Sequence, residues 1–341
     1  MALNMANNTL IEEKLRSGEI ALETAELIKE YNNRLQQNNV PIIYNLKHLR
    51  EILKISVKNQ DKYFGKNRNE YHTFEIPKKS GGVRVIEAPS GTLKKYQLWI
   101  KESILDKFKV SDHAKGFKKH CSILDNAQCH VGQELVVNID LKDFFPSIKY
   151  SQVYRIFAYI GYTNEVAHLL TRLCTNKHNV LPQGSPASPV ISNIVSLKLD
   201  KRLSALATSF GCTYSRYADD ITFSGKRYIK NILPIVARII VEEGFSINFN
   251  KVRLQYNFQR QEVTGLIVNK KVNVSHKLEN EIKNAIHFCK KYGVDDHLKN
   301  INCNRSFYKE HLYGIAYFIK MIDTDKGNSY LEELDSICWT Y

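Results

Sequence analysis

The chain has 341 residues, of which 43% are hydrophobic and 25% charged, and its formal net charge is +14. A chain of this length and composition buries a substantial core in about two or three lobes, which excludes a disordered tail. No apolar run reaches the roughly 18 residues of a membrane span, and the N-terminus lacks the basic start and apolar middle of a signal peptide. We therefore expect a cytoplasmic protein without a membrane partner.

The basic excess is concentrated in one part of the chain. Residues 45–120 contain 18 Lys and Arg against 8 Asp and Glu, a difference of +10. Aromatic residues are interleaved with these charges, as in surfaces that bind polyanions. A dispersed excess would indicate solubility alone, so the concentration favours a nucleic acid as partner.

The N-terminal segment is predicted to be helical. Apolar residues recur among charges over residues 9–36, which predicts one or two amphipathic helices, and residues 46–55 predict another. The period then changes to two. Residues 71–76 and 83–87 are predicted strands joined by a basic, glycine-containing turn, which indicates a hairpin. Residues 93–110 return to helical spacing.

The predicted hairpin carries three basic side chains, those of Lys78, Lys79 and Arg84. Arg84 alternates outward between two valines, so its guanidinium and the turn lysines face the same space. Such a group binds a triphosphate, Arg through its planar fork and Lys as a point charge. The alternative is a basic hairpin that is merely exposed.

An apolar run further along the chain ends on a carboxylate. Residues 135–139 are apolar enough for a buried central strand, and Asp140 follows at its end, where ligands of metals commonly lie. Alone, Asp140 would equally cap the following turn. Residues 181–189, rich in proline and small residues, precede a helix and allow close approach of another chain or ligand, although such a stretch is most often an ordinary loop.

Two vicinal aspartates lie at the bend of a second predicted hairpin, residues 214–224. Asp219 and Asp220 are flanked there by β-branched and aromatic residues. Like charges this close raise each other's pKa unless cations offset them, so the pair is either a solvated turn or half of a metal site. With Asp140 they would form a cluster of three carboxylates from two strands, and such clusters hold two Mg²⁺ ions for in-line phosphoryl transfer.

The remaining elements alternate again. Residues 229–243 predict an amphipathic helix ended by Gly244, residues 245–249 a strand with Lys251 beyond its end, and residues 263–268 a further short strand. From Ser275 helical spacing returns in two segments, which predicts a small helical lobe over about the last 70 residues.

The order of these features resembles the reverse transcriptase family. The resemblance covers roughly residues 45–320, and its most specific motif is Tyr217-Ala218-Asp219-Asp220. It implies an α+β fold of the right-hand polymerase type, with fingers, a ferredoxin-like palm of antiparallel sheet and helices, and a small helical thumb. It divides the chain into an N-terminal helical extension (1–44), fingers (45–134, with parts of 147–180), palm (135–265) and a mostly helical thumb (266–341).

The resemblance also implies roles for individual residues. Asp140, Asp219 and Asp220 match the catalytic, metal-binding triad, although the last aspartate is only loosely involved in many members. The implied cofactor is a pair of Mg²⁺ ions, with Mn²⁺ as a substitute. Phe145 matches the aromatic gate that excludes a ribose 2′-hydroxyl by its volume, so deoxynucleoside triphosphates are the expected substrates. The other nucleotide-binding positions match Arg84, one of Lys78 and Lys79, Gln183 and Lys251.

Two further motifs resemble the markers of bacterial retron reverse transcriptases. Asn-Ala-x-x-His precedes the first Asp-bearing strand, and Val-Thr-Gly precedes the thumb. In isolation the first is also consistent with a helix end and a hydrogen-bonded core histidine, and the second is trivial. The marker residues are Asn126, Ala127, His130, Val263, Thr264 and Gly265.

Retron membership implies a structured non-coding RNA as partner, priming from an RNA 2′-hydroxyl, and a branched RNA–DNA product (msDNA). It further implies antiviral defence against phage with an effector protein, a bacterial cytoplasmic location, and no maturase, endonuclease or RNase H-sized domain after the thumb. The thumb of this family recognises RNA stem-loops, so we expect RNA contacts from basic residues that would equally suit a solvated helix face. They are Lys270, Lys271, Lys283, Lys290, Lys291 and Arg305.

Two alternatives remain open. One is another bacterial reverse transcriptase, of the group II intron or diversity-generating type, that extends a free 3′ primer. The other is a non-catalytic RNA-binding scaffold. A scaffold, however, does not need the three aspartates, Gln183 and the basic residues of the first hairpin at these spacings.

Overall fold

The computed structural model describes residues 12–65, 68, 70–78, 81–303 and 306–339. Its chain forms two compact units. Unit 1 comprises Met1–Lys118, Leu141–Lys201 and Ile240–Ser246, and unit 2 comprises Lys119–Asp140, Arg202–Ile239 and Ile247–Tyr341. Among the described residues, no helix has both the length and the apolar character that a membrane crossing requires.

Helices alternate with a smaller number of strands along the chain. Residues 12–16 are helical. The later helices are α1 (Leu22–Gln37), α2 (Leu46–Leu53), α3 (Gln60–Phe64), α4 (Gly91–Ser103), α5 (Ile123–Gln128), α6 (Phe144–Ser147), α7 (Tyr150–Ile160), α8 (Asn164–Cys174), α9 (Ser188–Val195), α10 (Leu197–Ser209), α11 (Leu233–Glu242), α12 (His276–Tyr292), α13 (Val294–Asn300), α14 (Tyr308–Ile322) and α15 (Thr324–Asp335). The strands are β1 (Tyr71–Pro77), β2 (Val83–Pro89), β3 (Leu135–Asp140), β4 (Thr213–Tyr217), β5 (Asp220–Gly225), β6 (Arg253–Tyr256), β7 (Glu262–Val263) and β8 (Leu266–Ile267).

In unit 1, β1 and β2 form the predicted hairpin. The strands pair antiparallel from Tyr71↔Pro89 to Pro77↔Val83 and form a sheet of two strands. The turn contains Gly81 and Gly82, both with positive φ, a conformation that glycine adopts without steric penalty. Since most of β1 and the start of β2 are exposed, the hairpin presents its side chains to solvent.

The loop of residues 181–189 in unit 1, which contains Gln183 and Gly184, is attached to β2 through its backbone. The Glu87 N–H donates to the Gln183 carbonyl oxygen at 2.9 Å. Gly184 has φ +144°, and a Cβ atom there would lie 2.5 Å from the Glu87 carbonyl oxygen. Only a residue without a side chain permits this approach of two backbones, so the glycine fixes where Gln183 stands.

In unit 2, a sheet of four antiparallel strands has the order β4-β5-β3-β6. Side chains alternate across its two faces. One face is apolar and includes Val137, Ile139, Ile221 and Phe223, all buried. The opposite face is polar, and its side chains include Asn138, Asp140, Asp220, Thr222 and Ser224.

The predicted helical lobe is confirmed by α12 to α15. Ser275 caps α12, accepting a hydrogen bond from the Leu278 N–H at 3.3 Å, as N-cap serines do. The helices share one apolar cluster, because residues at i, i+3 and i+4 face the same side. Its members include Ile282, Ile286, Cys289, Leu312, Ile315, Ile319 and Leu334.

The α+β class with antiparallel sheets is confirmed, but two predicted strands are wrong. Residues 245–249 are not a strand, because they make only an isolated bridge at Ile247, with the Asn248 N–H donating to the Asp140 carbonyl oxygen, before a 3₁₀ turn, Phe249–Lys251, ends the extended backbone. Residues 263–268 are not one strand but a tight hairpin, β7–β8. Thr264 and Gly265 form its turn, both with positive φ, as two-residue type I′ hairpins require.

Two predicted helices differ in extent. The helix expected over residues 93–110 ends at Ser103 and is followed by a 3₁₀ turn, Leu105–Lys107. The one expected over residues 229–243 is a 3₁₀ helix, Arg227–Ile232, followed by α11. Pro234 falls in the first turn of α11, where its missing N–H is not needed.

We expect Gly184→Ala to lower the free energy of unfolding of unit 1 by about 1–3 kcal/mol, because the added methyl group overpacks against the Glu87 backbone. Gly91→Ala is the matched control, since Gly91 opens α4 and a Cβ there meets nothing within 4 Å. Thermal and denaturant unfolding of both variants measure the difference. Equal stability of the two would contradict the backbone contact.

Candidate active site

The polar face of the unit 2 sheet brings two of the three predicted aspartates together. Asp140 ends β3 and Asp220 begins β5, and the two residues are partners in the antiparallel register. Side chains of such partners point to the same face, with Cβ atoms about 4.5–5.5 Å apart. Asp219 occupies the turn between β4 and β5, next to Asp220.

The aspartate turn has a strained residue at its start. Ala218 is buried and has φ +58°, which costs about 1–3 kcal/mol for a residue other than glycine. A positive φ at the first position is typical of type II′ hairpin turns. Arg216, fully buried in the sheet, donates from Nη1 to the Ala218 carbonyl oxygen at 3.1 Å. This bond holds the strained residue from within the sheet.

The Asp140 carboxylate is bound by two neighbouring side chains. Lys251 Nζ donates to Oδ1 at 2.7 Å, and Asn248 Nδ2 donates to Oδ2 at 3.2 Å. The sequence predicted Lys251 but missed Asn248. The 3₁₀ turn explains the pairing, because residues three apart in such a turn lie above one another. The position of Asn248 three residues before Lys251 was the signal in the sequence that could have indicated its role.

The Asp220 carboxyl group has a perturbed acidity. The surrounding protein excludes water from this carboxylate and raises its pKa to about 6, and the charges of Asp219 and Asp140 contribute to the same increase. Lys251 and Arg253 act in the opposite direction. One side of Asp220 stays open to solvent, so the effect comes from the protein packed around its other sides. The carboxylates therefore gain from any cation that binds beside them.

The donor chemistry of this face suits a hard divalent cation, since carboxylate oxygens are the ligands that Mg²⁺ prefers. Among the residues that the structure describes, however, no three His, Cys, Asp or Glu side chains converge on one ion position. The Lys251 ammonium is the cation bound to Asp140. The assignment of the three aspartates as metal ligands stays a prediction.

The other predicted nucleotide-binding residues lie in unit 1. Phe145 is half-buried in α6, with ring centroids 6.0 Å from Phe117 and 5.5 Å from Phe144. Arg84 is exposed on β2, and Lys78 is exposed at the end of β1. Gln183 is anchored by its backbone as described above. Lys79 lies outside the described residues.

The two retron markers contact each other in unit 2. Asn126, in α5, donates from Nδ2 to Thr264 Oγ1 at 3.4 Å. His130, just beyond α5, is fully buried and binds the hydroxyl groups of Ser215 and Ser224 at 2.7 Å each. The first motif is therefore a helix end with a hydrogen-bonded core histidine, as its plainer interpretation predicted. Ala127 and Val263 are buried in the same apolar cluster.

Most of the basic residues predicted to bind RNA have acidic or aromatic neighbours. Lys271 pairs with Asp323 at 3.4 Å, Lys283 with Glu279 at 3.0 Å and Lys290 with Glu333 at 3.4 Å. The Lys291 ammonium lies 5.1 Å from the centre of the Tyr292 ring. Lys270 is exposed after β8, and Arg305 falls outside the residues described.

Comparison with known proteins identifies the family. The profile described as "Reverse transcriptase (RNA-dependent DNA polymerase)" matches residues 76–285. The retron Ec86 reverse transcriptase of Escherichia coli is 34% identical over 308 residues, which cover 89% of this chain and 92% of that protein. The chain belongs to the retron reverse transcriptases. It is therefore an RNA-directed DNA polymerase, as the order of motifs predicted.

Other retron reverse transcriptases are similar over less of their length. The Mx65 and Mx162 proteins of Myxococcus xanthus are each 34% identical, over 75% and 78% of this chain. The chain spans 62% and 61% of the length of these two relatives. Among solved structures, a Candida albicans telomerase in complex with a fragment of telomeric RNA has a TM-score of 0.47 and 11% identity, covering 84% of this chain and 60% of that one.

The raised pKa of Asp220 predicts how the free energy of unfolding of the metal-free protein changes with pH. Its folded-state pKa of about 6 exceeds the unfolded value of 3.8, so the stability it contributes below the unfolded pKa is lost as pH rises through the folded pKa. With a metal chelator present, Asp220→Asn should therefore raise the unfolding temperature near neutral pH and have little effect at about pH 4. Thermal unfolding at both pH values measures this.

Asp112→Asn is the control for that measurement. The exposed Asp112 carboxyl group has its pKa lowered by a hydrogen bond from Lys118, so its removal brings no gain at neutral pH. An Asp220→Asn protein no more stable than its parent at neutral pH would contradict the raised pKa of Asp220.

Proposed function

We propose that Asp140, Asp219 and Asp220 form the catalytic centre at which this retron reverse transcriptase adds deoxynucleotides to a primer on an RNA template. The observation that supports the proposal most strongly is the register pair Asp140↔Asp220 at the sheet end, beside Asp219. Two Mg²⁺ ions, or Mn²⁺ in their place, when bound there would supply a lowered primer-hydroxyl pKa and charge neutralisation at the leaving pyrophosphate.

Lys251 and Asn248 prepare the Asp140 carboxylate for this role. Asn248 donates to one oxygen and fixes the plane of the carboxylate, and Lys251 neutralises the other. The Lys251 side chain is 51% exposed, so its ammonium is able to leave Asp140 and bind a phosphate oxygen of the nucleotide. Asp140 would then be uncovered as the triphosphate arrives.

In unit 1, we assign nucleotide contacts to Phe145, Gln183 and the basic hairpin. The Phe145 ring packs on two other phenylalanines, which gives it the rigidity that exclusion of a 2′-hydroxyl needs. Gln183 is held through its own carbonyl group, so its side chain remains available. Arg84 with Lys78 or Lys79 would bind the triphosphate, because exposed cations on a short hairpin are able to close on an anion.

Family membership supports a cognate structured RNA as template and partner. In this proposal the enzyme primes from an RNA 2′-hydroxyl, makes a branched RNA–DNA, and acts in the bacterial cytoplasm with an effector protein in defence against phage. The RNA would contact the helical lobe at a groove that is lined in part by Lys283, Lys290 and Lys291. The ion pair of Lys290 with Glu333 is exposed and weak, so phosphate groups compete for this lysine readily, whereas Lys283 pairs with the buried Glu279.

The metal assignment predicts that Asp219→Asn lowers deoxynucleotide incorporation on a primed RNA template with Mg²⁺ by about 100-fold or more, since loss of a metal ligand removes several kcal/mol of transition-state stabilisation. Asp112→Asn, with its exposed carboxylate, should incorporate as the parent does. An Asp219→Asn protein that incorporates deoxynucleotides as well as the parent would show that the metal assignment is wrong.

The priming proposal predicts a covalent RNA–DNA species bound to the enzyme purified from its native host. RNase treatment should leave DNA that carries a residual ribonucleotide, and debranching enzyme should release that DNA from its 2′ linkage. Gel mobility before and after each treatment gives the result. Bound complementary DNA that shows no covalent link to RNA would instead support a class that extends a free 3′ primer.

A further inference from the structure

A chain of hydrogen bonds in unit 2 links the β7–β8 turn to β4 and β5, the two strands that flank Asp219. It begins at Thr264 in the β7–β8 turn, whose Oγ1 donates to the Ile123 carbonyl oxygen at 3.3 Å. Because that hydroxyl proton is used, Thr264 accepts from Asn126 Nδ2 at 3.4 Å. Asn126 Oδ1 in turn accepts from the Ser215 hydroxyl at 2.7 Å. The donor and the acceptor of each of these three hydrogen bonds are therefore fixed.

The same reasoning fixes the donor and acceptor roles of the two His130 ring nitrogens. Ser215 has given its proton to the asparagine, so its oxygen accepts from His130 Nε2–H at 2.7 Å. His130 Nδ1 then carries no proton and accepts from the Ser224 hydroxyl, also at 2.7 Å. The bonds thus select the neutral tautomer with its proton on Nε2. Asn126, His130, Ser215 and Ser224 are all at most 1% exposed.

The two serines lie on the strands that carry the aspartates. Ser215 is on β4, four residues before Asp219, and Ser224 is on β5, four residues after Asp220. In the register, Thr213 pairs with Ser224 and Ser215 with Thr222, so the imidazole bridges a diagonal of the ladder. Side chains two apart point to the same face, and Ser224 therefore shares the face of Asp220. A slip of one strand by one residue would break both bonds.

The spacing of the first marker follows from this contact. Asn126 and His130 are four residues apart across the end of α5, which places them on one side of the helix. Both side chains bind Ser215 there. The apolar neighbours Ala127, Val136 and Val263 surround the chain of bonds. In such surroundings a fully satisfied polar chain specifies one arrangement, because any other leaves buried groups unpaired.

We infer that Asn126, His130, Ser215 and Ser224 are positioning residues, which lock β4 against β5 and so fix where the turn presents Asp219 and Asp220. Thr264 ties the β7–β8 hairpin to the same lock. This inference rests on the proposed catalytic role of the aspartates. The two retron markers are therefore two ends of one support behind the catalytic turn, and neither motif needs to touch substrate to be required.

The test compares Ser215→Ala with the parent. Loss of the hydroxyl removes two bonds of the chain without touching the aspartates, so kcat for deoxynucleotide incorporation should fall by about 10-fold or more, as small displacements of catalytic groups do. The KM for the nucleotide should change by less than about 2-fold. Mn²⁺ affinity, measured by electron paramagnetic resonance without substrate, should weaken by about 3-fold or more.

Thr171→Val is the matched control, because Thr171 in α8 is a fully buried residue of unit 1 whose hydroxyl group donates to the Ala167 carbonyl oxygen within its own helix. It should leave kcat and Mn²⁺ affinity within about 2-fold of the parent. Ser215→Thr, which keeps the hydroxyl, should recover most of the lost rate. Asn126→Ala combined with Ser215→Ala should be no slower than Ser215→Ala alone, since both act on one chain of bonds.

Several results would overturn the inference. They are an unchanged kcat and Mn²⁺ affinity in Ser215→Ala, additive losses in the double variant, or a rate that falls only with the unfolded fraction seen in thermal unfolding. Should Ser215→Ala not fold, Ser224→Ala, which removes a single bond, is judged by the same measurements. Asp219→Asn in the same assay keeps the two proposals apart, because its full activity would refute the catalytic role of the aspartates whatever Ser215→Ala does.

Discussion

Two carboxylates that are partners in one antiparallel register repel each other, and β3 and β5 hold Asp140 and Asp220 in that arrangement. The pKa of Asp220 is raised mainly by burial and further by the charges of Asp219 and Asp140, and the Lys251 ammonium bound to Asp140 offsets part of the negative charge. A flexible support would let the two groups move apart. Instead, β3 ends on Asp140 after a run of buried residues, and β5 runs from Asp220 into buried residues, so the energy of a packed core opposes the separation.

The support for the turn comes from both faces of the sheet. On the apolar face, Arg216 reaches back to the Ala218 carbonyl. On the polar face, His130 joins β4 to β5 through two serines. Motifs that are far apart in the chain thus act on the same few residues. The Asn-Ala-x-x-His motif binds the strands that flank Asp219, and the Val-Thr-Gly motif binds the asparagine of the first motif.

Much of this arrangement was predictable, because it rests on periodicity. The apolar run of β3 and the alternation around Asp219 indicated strands, and helical spacing after Ser275 indicated the last lobe. Residues 245–249 alternate in the same way, yet they form only an isolated bridge before the 3₁₀ turn at Phe249–Lys251, and the alternation of side chains does not encode where such a turn begins. Ser215 and Ser224 carried no signal either, since a serine inside a strand usually marks a solvated face.

The conformation of Ala218 limits which residues can replace it in the turn that carries Asp219. A left-handed backbone disfavours β-branched and bulky residues, and the buried position of this methyl group leaves no room for longer side chains. Glycine would remove the steric penalty but would also free the turn to adopt other shapes. Asparagine tolerates the backbone but has to place an amide beside two carboxylates. Drift at this one position is therefore confined to very few residues, whereas exposed strand positions nearby remain open to change.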